Sequence, residues 1–224
     1  MASRASSPPG GFANARVRWA VWGAAALLGI TAGVLILILT SSSGHATSPP
    51  LVSGPAATWA AGARPAPPFR LADENGKAVS LAAYRGRPVI VTFLDPLCRN
   101  YCPIEASRLN AMEQSLPAAS RPVILAVSVN VAGNARRYLV QDEHKWKLGS
   151  TWHWGVGASA QLAAVWKHYD IGVSVTTKKL AGVVVRNVVH TEAAYLVDSK
   201  GYERALFVWP FRAADVEAAL RDLS

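Results

Sequence analysis

Cysteine is scarce in this chain: Cys98 and Cys102 are the only two among 224 residues. That excludes a scaffold of several disulfides, and a chain of this length buries a core without needing a staple. Acidic residues are also few, 14 Asp and Glu against 23 Lys and Arg, for a formal net charge of +9. The cations are scattered, in short pairs such as Arg136-Arg137 and Lys178-Lys179. No stripe of basic and aromatic residues forms, so no nucleic-acid partner is predicted. Charge of either sign is missing from residues 19–40, WAVWGAAALLGITAGVLILILT. Proline is missing between Pro122 and Pro210, and no internal repeat is visible.

The uncharged run has the length of a membrane-spanning helix, which takes about twenty apolar residues. A secretory signal has a shorter apolar core, so an uncleaved anchor is predicted. Arg4, Arg16 and Arg18 precede the run, and the first charge after it is Arg64. The positive-inside rule then leaves the N-terminus in the cytoplasm and puts the rest outside it. The expected organisation is a cytoplasmic tail over 1–18, a single transmembrane helix over 19–40 and a Ser-, Pro- and Ala-rich linker over 41–68. One domain follows over 69–224. Trp19 and Trp22 would sit at the inner interface of the cell membrane.

Within the domain, FRLADENGKAVSL places apolar residues on both sides of Asn75-Gly76, a hairpin signal. RPVIVTFL (87–94) and PVILAVSV (122–129) are β-branched runs of the kind that fill central strands buried on both faces. Helices are predicted from Pro103 to about Leu116, over 134–147, over 159–171 and in RAADVEAALRDL. TWHWGVG is a short strand and turn, and Gly172 to Val189 reads as irregular. TEAAYLVDSKGYERALFVW is a pair of strands turning at Ser199-Lys200-Gly201. Alternating β and α with a final antiparallel pair predicts an α/β fold, a mixed central sheet with helices on both faces and an extra N-terminal hairpin.

The two cysteines stand in DPLCRNYCPIE, between the end of a predicted central strand and the start of a predicted helix. Sites of α/β sheets lie at such strand ends. A thiol at a helix N-terminus ionises more readily, because the dipole favours negative charge. Three residues between the cysteines make a looser loop than the two of the usual redox pair, so both sulfurs could face one ion. Soft thiolates suit copper(I) or zinc. Two ligands leave a site incomplete, and the candidates for a third are His144, His153, His168, His190 and the linker His45. His190, just before the strand AAYLVD, is the best placed. The others read as packing or as solvated surface, and a plain loop histidine remains the alternative at 190. Asp95 and Asp198 read as turn residues, with Asp95 also close enough in sequence to tune Cys98.

CRNYCP after a strand, with HTEAAYLVDSKG near the C-terminus, resembles the Sco/SenC family. The resemblance spans most of residues 69–224 and the anchor. It implies a membrane-anchored, thioredoxin-like, copper-binding protein that helps assemble the CuA centre of cytochrome c oxidase. The family pattern is Cys-x-x-x-Cys-Pro and a distant His-Thr, followed by a strand and an Asp. Cys98, Cys102 and Pro103 match the first part, and His190, Thr191, Tyr195 and Asp198 the second. Carried over, Cys98, Cys102 and His190 are the copper ligands. The implied partner is the copper-bearing oxidase subunit or another copper chaperone. A thioredoxin-type oxidoreductase would carry a proline just before the strand facing its cysteines, and none stands there.

The chain departs from the family pattern at Arg99, where a proline often follows the first cysteine, and in SVNVAGNARR, where Asn130 replaces an Asp. Arg99 would favour a Cys98 thiolate and repel a copper cation. The alternative function is an extracytoplasmic thiol–disulfide oxidoreductase using Cys98 and Cys102 without stable copper. A thiol peroxidase has little support, with no separate resolving cysteine, and a purely structural disulfide is the plainest alternative.

Overall fold

The computed structural model describes residues 53–223. The anchor expected over 19–40 and the tail before it lie outside these residues. Among the described residues no helix is long and apolar enough to cross a membrane.

Strand β4 (Val89–Leu94) runs parallel to β5 (Val123–Ser128), and β5 runs parallel to β6 (Trp152–Gly155). On the other side of β4, β9 (Ala193–Val197) pairs antiparallel, followed by β10 (Glu203–Val208) and β1 (Ala57–Thr58). The sheet order is β1-β10-β9-β4-β5-β6. Helices α1 (Tyr101–Ser115), α2 (Arg136–Trp146), α3 (Ser159–His168) and α4 (Ala213–Arg221) cover the sheet. A hairpin of β2 (Arg70–Ala72) and β3 (Ala78–Ser80) turns at Gly76, whose positive φ of 81° suits glycine.

The alternation of side chains along a strand splits the core into two layers. Val89, Val91 and Phe93 face Leu162, Val165 and Tyr169 at α3, with Leu71 and Val79 of the hairpin. Ile90 and Leu94 face Ala106, Leu109 and Met112 of α1, with Val216 and Leu220 of α4. All six residues of β4 and all six of β5 are buried. This is why these strands read as unbroken apolar runs rather than as an alternation.

Two expectations need correction. Residues 57 and 58, expected in the linker, form the edge strand β1, with Ala57 opposite Leu206 and Thr58 opposite Ala205. Beyond it, Arg64 pairs with the fully buried Glu203 at 2.5 Å and stacks over Trp59. A Ser-, Pro- and Ala-rich composition concealed a segment held by backbone pairing and a single ion pair. The second correction is the stretch from Gly172 to Val189. It is a regular hairpin of β7 (Val173–Leu180) and β8 (Val183–His190), paired from Val173↔His190 to Leu180↔Val183. Its two-residue turn, Ala181-Gly182, has positive φ at both positions, the primed turn that matches strand twist. The hairpin forms a sheet of its own and exposes Val183, Val184 and Val189, so no polar–apolar alternation marked it.

Phe93 is fully buried between the sheet and α3, in contact with Tyr169 and Tyr195. Phe93→Ala is expected to lower the unfolding free energy by about 3–5 kcal/mol, the cost of a large core cavity. Urea denaturation of the two chains measures it.

Candidate functional site

Strand β4 ends at Leu94, and the chain turns at once. The Cys98 N–H donates to the Asp95 carbonyl at 3.0 Å, and the Asp95 carboxylate accepts from the Leu97 N–H at 2.7 Å. The turn reading of Asp95 therefore holds. Asp95 also accepts from the Asn130 side-chain amide at 2.9 Å. An Asp at 130 would put a second carboxylate against the first; Asn supplies a donor instead. The loop after β5 presses closely here, because a Cβ on Gly133 would stand 3.0 Å from Pro96.

Helix α1 then begins without a side-chain cap, since Asn100 makes no capping bond. The first N–H groups of a helix have no partner within it. Here the sulfur of Cys98 takes that place and accepts the Cys102 N–H at 3.5 Å. Pro103 falls within the first turn, where its missing N–H leaves no gap. Both cysteines are free thiols, Cys98 half-buried and Cys102 fully buried.

The two thiols are electrostatically unequal. A hydrogen bond from the Cys102 thiol, with further N–H groups of Asn100, Cys102 and Tyr101, outweighs burial and lowers Cys98 to about 5. Cys102 is pushed up, because it donates to Cys98 and is buried beside that negative charge. Arg99 is not among these leading causes. Its guanidinium donates to the carbonyls of Pro96 and Cys98 and lies 3.6 Å from buried Asp142. The expected tuning of Cys98 by Arg99 is thus replaced by helix N–H groups and a neighbouring thiol.

His190 is the last residue of β8, rather than part of an irregular loop. Its Nε2 lies 3.8 Å from the Cys102 sulfur, and its Nδ1 is 3.1 Å from the Thr191 carbonyl. A carbonyl only accepts, so Nδ1 carries the hydrogen of that bond, and in the neutral ring Nε2 presents its lone pair to the thiols. The hairpin base is anchored by the Thr191 N–H to the Gly172 carbonyl at 2.9 Å and the Gly172 N–H to the Thr191 hydroxyl at 3.1 Å. The other histidines do not join this group. His153 stacks on Tyr84 with centroids 5.5 Å apart, and His144 and His168 are exposed on helices. His45 lies outside the described residues.

Two carboxylates near the thiols escaped the sequence reading. Glu192 has a carboxylate oxygen within 4.8 Å of both Cys102 Sγ and a ring nitrogen of His190. Cys98 is not in that tight set; its sulfur neighbours Cys102 instead. Burial and the Cys98 charge raise Glu192 to about 7. Glu105, one helical turn after Cys102, is fully buried and accepts the Thr92 hydroxyl at 2.5 Å. Burial raises it to about 8 despite that bond. The signals were present as spacing, i+3 on a helix from Cys102 and i+2 in extended chain from His190. Cys98, Arg99, Asn130, Arg186 and Glu192 line an open cleft of about 580 Å³ over the site. Another cleft of about 500 Å³, between the far end of α1 and α4, contains neither cysteine nor histidine.

Residues 59–223 match the family model described as SCO1/SenC. No relative was found among curated proteins. Among solved structures, copper-bound ScoI from Bradyrhizobium japonicum is 22% identical with a TM-score of 0.58, over 71% of this chain and 99% of that one. Copper-bound ScoI from Arabidopsis thaliana is 18% identical with a TM-score of 0.61, over 70% and 98%. BsSco, described with a disulfide switch and as a member of the Sco family of cytochrome c oxidase assembly proteins, is 19% identical with a TM-score of 0.55, over 71% and 93%. The mixed α/β fold is that of these Sco structures.

Two outcomes are expected. Near neutral pH, iodoacetamide should alkylate Cys98 and spare Cys102, with a rate that titrates at about 5; peptide mapping reads the sites, and equal labelling would contradict the assignment. Glu105 holds its proton more tightly when folded, so its contribution to stability is complete below about 4.5 and is lost as pH rises toward about 8. Glu105→Gln should therefore gain on the wild type as pH rises, as read from urea melts at stepped pH.

Proposed function

This chain belongs to the SCO1/SenC family, and on that premise we propose that it is a membrane-anchored copper(I)-binding protein that assists maturation of the CuA centre of cytochrome c oxidase. The observation that carries the reading is the approach of the His190 Nε2 to 3.8 Å from the free Cys102 thiol, whose backbone N–H in turn meets the sulfur of Cys98, also a free thiol. The donor set fits the ion: soft sulfur and imidazole in a partly buried cleft suit copper(I). Cys98, Cys102 and His190 hold the ion as cargo. The depressed Cys98 thiol supplies a ready thiolate, and the Thr191 carbonyl keeps the imidazole in the tautomer with Nε2 free. The open cleft gives a partner's ligands access to the ion, as exchange between proteins requires.

The uncharged run over 19–40 supports a single-pass anchor with the C-terminal domain outside the cytoplasm. There the domain would meet the copper-bearing subunit of the oxidase, or another copper chaperone.

A second reading is favoured by the inequality of the thiols: thiol–disulfide exchange. The Cys98 thiolate attacks a target disulfide, forms a mixed disulfide and releases one target thiolate. Cys102 then loses its proton and attacks Cys98, releasing the second. Two electrons pass to the target and Cys98–Cys102 becomes the disulfide.

Copper(I) titration of the reduced chain against a competing chelator separates the readings. Stoichiometric binding is expected, with Cys98→Ala and His190→Ala each weakening it by at least about tenfold. Weak binding throughout, with a reversible Cys98–Cys102 disulfide, would select thiol exchange.

A further inference from the structure

The β7–β8 hairpin takes no part in the main sheet, and only its base is held. Val173 and Val188 pack against the core, while every residue from Ser174 to Asn187 is exposed. Two strands alone, with both faces in water, are marginal. The tip is apolar where a solvated tip would be polar: Leu180 is 58% exposed, and Val183 and Val184 are each 64% exposed. Leu180 stands opposite Val183 beside the turn, Lys179 opposite Val184, Lys178 opposite Val185 and Thr177 opposite Arg186. Paired residues share a face, and successive pairs alternate between faces. One face therefore runs from Leu180 and Val183 to Lys178 and Val185. The other runs from Val184 and Lys179 to Thr177 and Arg186.

The charge of this segment has one sign. No Asp or Glu stands between Asp170 and Glu192. Among the described residues, no ion pair engages Lys178, Lys179 or Arg186. An apolar tip with a collar of cations behind it is suited to a membrane interface. There the apolar side chains enter the boundary between headgroups and acyl chains, and lysine stems bury while their ammonium groups stay with anionic headgroups. A second copy of the hairpin fits less well, because pairing two of them sets like charges side by side. A bilayer is within reach on the anchor reading. Twelve residues, 41–52, separate the uncharged run from the described chain, and twelve extended residues span at most about 43 Å.

We infer that the tip of the β7–β8 hairpin, Leu180 to Val184 with Lys178 and Lys179, inserts into the anionic surface of the membrane that carries the anchor. The inference rests on the proposed anchor over 19–40 and adds a second membrane contact, made by the folded domain itself. His190 ends the strand that leaves the tip, seven residues after Val183. At about 3.3 Å per residue, the inserted tip holds His190 within about 23 Å of the lipid contact.

Photo-crosslinking of the full chain in vesicles of phosphatidylcholine and phosphatidylglycerol tests it. The photoreactive residue p-benzoylphenylalanine replaces Val183 and, in separate chains, Ile30 of the uncharged run or the exposed Gln114 of α1. After irradiation, intact mass reads lipid adducts and gel electrophoresis reads crosslinked chains. The expected result is a lipid adduct from positions 183 and 30 and none from 114. Lys178→Gln with Lys179→Gln, or vesicles of phosphatidylcholine alone, should lower the yield at 183 at least about threefold and leave the yield at 30 unchanged. A yield at 183 that ignores both changes, or equals that at 114, overturns the insertion. Adducts at 30 without adducts at 183 overturn it and leave the anchor standing. Crosslinked dimers from 183 in place of lipid adducts overturn it in favour of a second copy. No adduct at either 30 or 183 overturns the anchor reading, and this inference with it.

Discussion

The bond between the Cys102 N–H and the Cys98 sulfur is the point on which the site depends. A helix that starts without a polar cap leaves unpaired N–H groups at its first turn. In α1 a sulfur receives them. That contact helps close the end of the helix and, together with the stronger hydrogen bond from the Cys102 thiol, lowers the pKa of the outer thiol and so favours its ionised form. The inner thiol, donating to that charge and buried behind it, holds its proton. The same physics makes Cys98 a ready thiolate for a soft ion and a ready nucleophile for a disulfide, which is why both chemistries remain attached to one pair of residues.

The sheet makes this contact reproducible. β4 and β5 are buried on both faces, so neither strand can slip in register without moving a whole row of side chains out of its layer. Their common carboxyl end delivers Asp95 and Asn130 to each other and sets the turn that carries Cys98. On the opposite flank, β9 runs antiparallel to β4 and brings its N-terminal end, with His190 and Glu192 just before it, to the same edge. Three chain segments distant in sequence meet there because two of the strands are parallel and the third is not.

Much of this was legible in the residues. The buried strands declared themselves through β-branched runs, and the cysteine pair through its place between a strand and a helix. Proline at 103 and glycine at 76 marked a helix start and a turn. Two kinds of feature were not legible. The β7–β8 hairpin pairs only with itself and is solvated on both sides, so it carries no burial period. The chain at 57–66 is held by backbone pairing, Trp59 and the Arg64–Glu203 ion pair, none of which composition reveals. In the site, His190 followed from its position before β9 and from the family pattern. Glu105 and Glu192 did not, because a lone glutamate is ordinary until the fold puts it beside a thiol. Arg99 misled for the converse reason: adjacency in sequence suggested a cation at Cys98, while the guanidinium turns toward backbone carbonyls and Asp142.

The central claim is that a soft ion is held jointly by the cysteine pair and His190. X-ray absorption at the copper edge of the copper(I)-loaded chain tests it most directly. The account predicts sulfur neighbours together with the outer-shell scattering of a single imidazole, and loss of the imidazole signal in His190→Ala. A sulfur-only shell, identical in the wild type and in His190→Ala, would contradict it.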